Sequence, residues 1–172
     1  VQEKIIPLAI KGKNLVFTSR TGSGKTLAYL LGYLSKINKT QGIQMIVLVP
    51  TRELCIQVGK EMRSICEPLN INVGVLYGGR DIPGDYRTLN KKNQIMVGTP
   101  GRLIMHVNEK KIKAGDVKYL VYDEPDQMFD NGFYDDCAYL KRRASKDAQI
   151  ILSSATITDK VEDFIESEIV DY

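Results

Sequence analysis

The chain has 172 residues, of which 43% are hydrophobic and 26% charged, and its formal net charge is +3. This length suits one globular domain that buries about two-thirds of its unfolded surface. Apolar stretches fall far short of the ~20 residues that span a bilayer, and no basic-then-apolar leader opens the chain, so we expect no membrane segment. Basic clusters permit a nucleic-acid partner without demanding one, and they lie at Lys91-Lys92, Lys110-Lys111, Lys113 and Lys141-Arg142-Arg143.

The cysteines and the histidine exclude several kinds of site. The three cysteines are odd in number and lack Cys-x-x-Cys spacing, which argues against a disulfide framework and favours a reducing, intracellular compartment. Cys55 and Cys66 share a helical stripe with Val58 and Met62, a pattern typical of core residues. His106 is the only histidine, so histidine-based metal centres and most catalytic triads are ruled out.

Short β-branched runs alternate with helical patterns along the chain. This alternation predicts an α/β fold with a mostly parallel sheet that is flanked by helices on both faces. The predicted strands are Leu15–Thr18, Met45–Val49, Val73–Leu76, Ile95–Val97, Tyr119–Tyr122 and Ile150–Leu152. The predicted helices are Lys25–Ile37, Arg52–Cys66, Tyr86–Leu89, Arg102–Asn108, Asp135–Ala144 and Asp159–Ile165.

The first predicted strand runs into a segment typical of a phosphate-binding P-loop. Its glycines allow backbone N–H groups to turn around a polyphosphate, Lys25 supplies a positive charge, and the Thr26 hydroxyl is a ligand for Mg²⁺. The residues predicted to bind nucleotide here are Ser19, Arg20, Thr21, Gly22, Ser23, Gly24, Lys25 and Thr26. The position of Gly-Lys-Thr at a helix start favours a nucleoside-triphosphate site over a ligand-free turn.

Two carboxylates follow a later buried strand, at Asp123 and Glu124. In open α/β sheets ligands bind at the carboxyl ends of the strands, so this strand and the P-loop strand are expected to share one crevice. Asp123 is the predicted Mg²⁺ ligand, and Glu124 is predicted to orient or deprotonate the attacking water. Lys25, Asp123 and Glu124 are therefore the predicted catalytic residues.

Three further strand ends carry features of phosphate recognition. Two are helix starts with a nearby arginine, which direct free amides at solvent, and the third is a glycine pair that either approaches a ligand or only provides positive φ. Their residues are Pro50, Thr51, Arg52, Gly78, Gly79, Thr99, Pro100, Gly101 and Arg102. Thr99 is expected to cap its helix, with Pro100 at the first position.

Taken together, these motifs resemble, in order and over residues 1–172, the first RecA-like domain of a DEAD-box RNA helicase. The resemblance implies an ATP-dependent RNA helicase with a RecA-like fold, ATP and Mg²⁺ as cofactors, and Gln2 as the adenine-reading residue. It implies RNA binding through the backbone at the three strand ends above. It also implies that Ser154 and Thr156 hydrogen-bond Asp126 and couple hydrolysis to strand separation.

The sequence departs from the family pattern at two motif positions. Pro125 stands where the family has Ala, and we expect it to push Glu124 toward extended geometry, which suits a strand end. Ser19 stands where the family usually has Ala, and we expect its hydroxyl to replace nothing essential. The aromatic residue that stacks on adenine in the family lies upstream of the segment that begins this chain.

A second RecA-like domain is expected to follow residues 1–172 in the parent protein and to supply arginine fingers. The fragment is thus expected to be a monomeric, nucleotide-binding half with little turnover, located in the cytoplasm or nucleus. Two alternatives stay open: another P-loop NTPase, such as a DNA helicase or a transport ATPase, and a non-enzymatic RNA clamp in which Pro125 marks lost catalysis.

Overall fold

The computed structural model describes residues 1–20, 22–169 and 171–172. Its strands are β1 (Leu15–Thr18), β2 (Met45–Leu48), β3 (Val73–Leu76), β4 (Ile95–Gly98), β5 (Tyr119–Asp123) and β6 (Gln149–Ser154). Its α-helices are α1 (Gln2–Ile10), α2 (Lys25–Leu34), α3 (Arg52–Cys66), α4 (Ile82–Leu89), α5 (Pro100–Asn108), α6 (Pro125–Asp130), α7 (Tyr134–Arg143) and α8 (Asp159–Glu168). Short 3₁₀ turns cover Glu67–Leu69 and Ala114–Asp116.

The six strands form one sheet in the order β1-β6-β5-β2-β4-β3, and every pairing is parallel. The predicted α/β class with a parallel sheet is therefore confirmed. Each predicted strand is present within two residues of its predicted bounds. Strands β1 and β3 form the two edges of the sheet, while β2 and β5 lie in its middle.

Two hydrophobic clusters hold the helices on opposite faces of the sheet. Side chains alternate along a strand, so in β2 Met45 and Val47 join one cluster while Ile46 and Leu48 join the other. The first cluster contains residues of α1, α2 and α3, and the second contains residues of α5, α6, α7 and α8. Cys55 and Cys66 belong to the first cluster, which confirms the predicted core role of their helical stripe.

Three helices differ most from the sequence-based expectation. The helices α1 and α6 were not predicted, and α4 begins at Ile82 rather than at Tyr86. The local signal for α1 is weak, because Pro7 lies inside it and no side chain caps its start. Its carboxyl end is held by tertiary contacts instead, since the Ala9 carbonyl accepts hydrogen bonds from Lys36 Nζ (3.2 Å) and Gln149 Nε2 (3.0 Å).

The helices α1 and α2 approach each other closely at Gly32. A Cβ atom at this position would lie 2.3 Å from the Cβ of Ala9, a distance that only glycine avoids without movement of the backbone. The two helices run alongside each other in the same direction, and Gln2, at the start of α1, lies next to Gly24 at the start of α2. None of the helices in the described part of the chain has the length and apolarity needed to span a bilayer.

Candidate functional site

The segments predicted to be functional all lie at one edge of the sheet. Because every strand is parallel to its neighbours, the six carboxyl ends emerge on the same side. The P-loop follows β1, the acidic pair ends β5, and the three strand ends with features of phosphate recognition follow β2, β3 and β4. This is the edge at which open α/β sheets bind ligands.

The P-loop turns into α2 through glycines. Gly22 and Gly24 both have φ of +79°, the left-handed region that glycine adopts without steric cost, and Gly24 is the N-cap of α2. Lys25 and Thr26 are the first two residues of the helix, so the unpaired N–H groups of its first turn lie at the loop. Thr21 lies outside the described residues, and its predicted role stays a prediction.

The Ser19 hydroxyl makes hydrogen bonds within the P-loop. It is hydrogen-bonded to the Ser23 hydroxyl, and it also donates to the Arg20 carbonyl oxygen at 3.4 Å. The hydroxyl thus joins the first and fifth residues of the loop, and the expectation that it replaces nothing essential stays a prediction. Both hydroxyls belong to the segment that is predicted to bind phosphate.

Lys25 lies between the two predicted carboxylates. Its Nζ is 2.8 Å from Asp123 Oδ1 and 3.1 Å from Glu124 Oε1, and all three side chains are nearly inaccessible to solvent. Burial by itself would lower the pKa of Lys25, but the two carboxylates outweigh it and raise the pKa above its ordinary value. Burial raises the pKa of Asp123 despite the neighbouring ammonium. The structure thus brings the three predicted catalytic residues together as a buried ion-pair cluster.

Tyr29 is part of this cluster, although it belongs to none of the motifs named above. Its hydroxyl donates to Asp123 Oδ2 at 3.1 Å and also interacts with the Thr26 side chain. Burial, reinforced by the Asp123 charge, raises the pKa of Tyr29 well above its ordinary value. The available signal was its spacing, because Tyr29 is one helical turn after Lys25 and therefore on the same face of α2.

Glu124 has left-handed backbone geometry, with φ 60° and ψ 53°. The expected extended conformation at this position is therefore wrong. Glu124 still continues the sheet through its N–H, which donates to the Ser153 carbonyl oxygen at 2.8 Å, but α6 begins at the next residue. A single left-handed residue makes this abrupt turn, and Pro125 then occupies the first position of α6, where its missing N–H is not needed.

The donors around Asp123 are compatible with a divalent cation. Among the described residues, no group of three or more His, Cys, Asp and Glu side chains could hold a metal ion by itself. Thr26 and Asp123 provide the hard oxygen ligands that suit Mg²⁺ in a site completed by phosphate oxygens and water. The Lys25 ammonium already occupies the space beside Asp123 as a cation, which indicates that positive charge is favourable there.

The last acid of the motif is bound to the segment after β6. Thr156 donates to Asp126 Oδ2 from its hydroxyl at 2.8 Å and from its backbone N–H at 3.2 Å. The Ser154 hydroxyl donates to the Thr156 carbonyl oxygen at 2.6 Å. Thr156 therefore makes the predicted contact with Asp126, whereas Ser154 stabilises the turn that places Thr156.

Gln2 lies against the P-loop. Its side-chain Nε2 donates to the Gly24 carbonyl oxygen at 3.4 Å, and a Cβ atom at Gly24 would come within 2.5 Å of the same nitrogen. The structure thus places the predicted adenine-reading side chain beside the residues predicted to bind phosphate. The contact requires both the α1 helix and the glycine at position 24.

The helix start after β2 presents an exposed arginine. Thr51 is the N-cap of α3, and its hydroxyl accepts a hydrogen bond from the Leu54 N–H at 3.2 Å. The guanidinium of Arg52 lies over the ring of Tyr77, 5.1 Å from its centroid. Pro50 is buried beneath this corner. Arg52 is therefore accessible to a phosphate, and Tyr77 holds it in place.

The helix start after β4 differs from the expectation in two respects. Thr99 is the N-cap of α5 and Pro100 is its first residue, but the Thr99 side chain makes no capping hydrogen bond. Arg102 is turned inward: its Nε is 3.0 Å from Asp85 Oδ2 and 3.1 Å from the Tyr77 carbonyl oxygen, and its Nη2 contacts the Arg80 carbonyl oxygen. This arginine therefore supports the strand ends from below.

A cavity of about 300 Å³ joins the ends of β3 and β4. It is lined by Gly78, Gly79, Thr99, Gly101, Arg102, Met105 and Phe133. Phe133 lies in the loop between α6 and α7, and nothing in its local sequence indicates that it reaches this edge of the sheet. The motif segments themselves contain no aromatic side chain. Tyr77 is next to the glycine pair in the sequence, whereas Phe133 is an aromatic neighbour that only the fold brings to this edge.

The chain was compared with protein-family models, with curated proteins and with solved structures. Residues 1–164 match the family model described as DEAD/DEAH box helicase. An ATP-dependent RNA helicase, CshA, of Listeria monocytogenes is 41% identical over 162 residues, which is 94% of this chain and 31% of that protein. A probable ATP-dependent RNA helicase of Methanocaldococcus jannaschii is 37% identical over 173 residues, 100% of this chain and 47% of that protein.

A solved structure agrees with this match. The crystal structure of a hypothetical ATP-dependent RNA helicase from Sulfolobus tokodaii superimposes with a TM-score of 0.91 at 34% identity, and the alignment covers 99% of this chain and 50% of that one. The chain thus spans between about a third and a half of the length of the curated relatives it matches.

Proposed function

The chain belongs to the DEAD/DEAH box helicase family, and on that premise we propose that it is the ATP-binding half of an ATP-dependent RNA helicase. One observation carries the proposal. The buried cluster of Lys25, Asp123 and Glu124 and three separate candidate phosphate sites all lie at the carboxyl edge of a single sheet. Because the NTPase site and the nucleic-acid path share one edge of the sheet, a change in the bound nucleotide can alter RNA binding, and RNA binding can alter the nucleotide site.

In the proposed nucleotide site, the loop from Ser19 to Thr26 binds the phosphates and Gln2 selects adenine. Lys25 leaves the carboxylates for the β- and γ-phosphates, because the more numerous phosphate charges attract it more strongly. Asp123 and Thr26 would then hold Mg²⁺, which neutralises charge on the transferring phosphoryl group when bound. Glu124, released from Lys25, accepts a proton from the attacking water.

The proposed RNA path runs across the ends of β2, β4 and β3. Pro50, Thr51 and Arg52 contribute one phosphate contact, Gly78 and Gly79 allow the backbone to approach closely, and Thr99, Pro100 and Gly101 contribute the amides of α5. Arg102 supports this surface through its contacts with Asp85 and Tyr77. Binding through sugar and phosphate makes the affinity nearly independent of sequence.

The remaining parts of the proposal concern the parent protein. Residues 1–172 are the first RecA-like domain, and a second one supplies arginine fingers and the other half of the RNA groove. Asp126, Ser154 and Thr156 couple the nucleotide state to RNA through the turn after β6. The protein acts as a monomer inside the cell, in the cytoplasm or nucleus, where ATP and RNA are present and the free thiols of Cys55 and Cys66 stay reduced.

Calorimetry and phosphate release test this proposal. The 172-residue chain should bind Mg·ATP weakly and in preference to Mg·GTP, Lys25→Ala should lose the phosphate-dependent part of the affinity, and Gln2→Ala should lose the preference for ATP. Hydrolysis should stay negligible with RNA present, because electrostatic help from arginine fingers is worth orders of magnitude in rate. Robust RNA-stimulated turnover by this chain alone would contradict the division of the site between two domains.

A further inference from the structure

A groove of about 770 Å³ runs along the free edge of the sheet, outside β3. Its floor is the outer side of β3, one wall is α3, and the other wall is the turn after β3 together with the end of α4. The family motifs lie at the carboxyl ends of the strands, whereas most of this groove lies beside the strand. Most of the groove therefore lies outside the sites described above.

The groove is lined by cations. Ile56, Lys60 and Arg63 of α3 and Glu67, which directly follows the helix, have helical spacing and form a single stripe toward the groove. Arg80 and Lys91 line the opposite wall. The lining of the groove thus contains four cations and a single carboxylate, that of Glu67. Within the described ranges, none of the four cations has a carboxylate within salt-bridge distance.

Two of these cations also block the strand edge. Arg63 Nε donates to the Val73 carbonyl oxygen at 3.0 Å, and Arg80 Nη1 donates to the Val75 carbonyl oxygen at 3.2 Å. Val73 and Val75 are the alternate residues of β3 whose carbonyls point away from β4. A protein strand that added to this edge would need the same two acceptors. The groove is therefore unsuited to strand addition, while the remaining guanidinium N–H groups are available to an anion.

The groove is continuous with the proposed RNA path. Tyr77 lines the groove, and its ring also packs against the guanidinium of Arg52. Arg80 lines the groove and directly follows the Gly78-Gly79 turn. From Asn72 to Tyr77 the floor extends roughly 16 Å at about 3.3 Å per residue, and a stacked strand carries one phosphate per roughly 3.4 Å, so several phosphates fit along it.

We propose that the β3-edge groove is an accessory RNA site that binds the sugar-phosphate backbone of a single strand extending beyond the path across β2, β4 and β3. This inference rests on the proposed function, because it assumes that RNA crosses the Gly78-Gly79 turn. Lys60 and Lys91 supply flexible charges from the two walls, and Arg63 and Arg80 supply charges fixed to the floor. The groove lengthens the occupied strand without reading its bases.

The test compares how tightly the 172-residue chain binds a short and a long RNA. Oligouridines of five and twelve nucleotides, labelled with fluorescein, are titrated at two salt concentrations. The path across three strands spans only roughly 10 Å, which the shorter RNA covers. The double variant Lys60→Ala/Lys91→Ala should bind the longer RNA roughly fivefold to tenfold more weakly and lower its salt slope by about 1.4, with the shorter RNA unaffected. Both lysines are exposed, so the variant should fold normally.

The matched control is Lys146→Ala, an exposed lysine before β6, which three other strands separate from β3. It should leave the binding of both RNAs unchanged. Unchanged binding of the longer RNA in the double variant, with both RNAs weakened by Arg52→Ala, would overturn the accessory site and leave the proposed function standing. Binding of neither RNA would overturn both. A polyglutamate peptide that bound more tightly than RNA, and only with both lysines present, would assign the groove to an acidic protein instead.

Discussion

Arg102 Nε lies 3.0 Å from Oδ2 of Asp85, a carboxylate with no exposed surface. The same oxygen lies 2.8 Å from Nε2 of the fully buried His106. Asp85 is on α4, while Arg102 and His106 are on α5, so these contacts join the two helices behind the ends of β3 and β4. The arginine that the sequence suggests for phosphate contact is thus held by a buried carboxylate.

We predict that Arg102→Ala lowers the free energy of unfolding by about 3 kcal/mol, because it leaves the buried Asp85 without its main cationic partner. Urea unfolding followed by circular dichroism measures this change. Arg102→Lys should recover only part of the loss, since an ammonium cannot bond Asp85 and the Tyr77 carbonyl with the geometry of a planar guanidinium. An Arg102→Ala protein of unchanged stability would show that the pair is dispensable to the fold.

Arg52→Ala should have little effect on stability but should weaken RNA binding. The side chain is exposed and contacts the ring of Tyr77, so its removal should change the free energy of unfolding by less than about 1 kcal/mol. It should weaken RNA binding to a similar extent for all sequences and reduce the salt slope by about 0.7, the value for one phosphate contact on a single strand. Fluorescence titration with RNAs of differing sequence measures both quantities, and a strong preference for one sequence would argue against backbone binding.

Ser19→Ala should increase the affinity for nucleotide. We expect the bond between the Ser19 and Ser23 hydroxyls to break when a polyphosphate enters the loop, and one neutral hydrogen bond contributes about 1 kcal/mol. Without it, Mg·ADP and Mg·ATP should bind up to roughly fivefold more tightly by calorimetry. Ser23→Ala provides the matched control, because it removes the same bond from the other side. A loss of affinity in Ser19→Ala would indicate that this hydroxyl contacts the nucleotide.

Pro125→Ala should be tolerated, whereas Glu124→Gln should not. Pro125 is at the first position of α6, where its ring removes no required hydrogen bond, so in a longer protein with the second domain kcat should change less than ~tenfold, about 1.4 kcal/mol. Glu124→Gln should reduce kcat far more, because an amide cannot accept the proton of the attacking water. Steady-state ATP hydrolysis with saturating RNA measures kcat for both variants. A clamp without catalysis would show no turnover before either change.

The cysteines should resist alkylation in the folded chain. Burial raises the pKa of the Cys55 thiol to about 12 and that of Cys66 to about 11, and it also raises the pKa of Cys137. Because a raised pKa keeps a thiol protonated, iodoacetamide at pH 8 should not label these positions until the chain unfolds. Mass spectrometry with and without urea provides the comparison. Rapid labelling of Cys55 in the native chain would contradict its position in the core.

The local sequence by itself determined the strands, most of the helices and the identity of the motifs. Six β-branched runs and the turn residues after them specify strands that end at functional segments, and the short connections through helices require them to be parallel. Lys25, Thr26, Asp123 and Glu124 were identifiable because each stands at a fixed distance from a strand end. Such distances along the chain are a local property of the sequence, and they are the same in the folded chain.

Only the tertiary structure decided what these residues contact. The carboxyl end of helix α1 is held by Lys36 and Gln149, which bond the Ala9 carbonyl, and neither donor is near it in sequence. Arg102 turns inward because Asp85, buried on another helix, attracts its charge more than solvent does. The β3-edge groove exists because folding leaves β3 at the edge of the sheet, where Arg63 of α3 bonds the Val73 carbonyl and Arg80, in the turn after β3, bonds the Val75 carbonyl. Such contacts depend on distances between segments that no local pattern encodes.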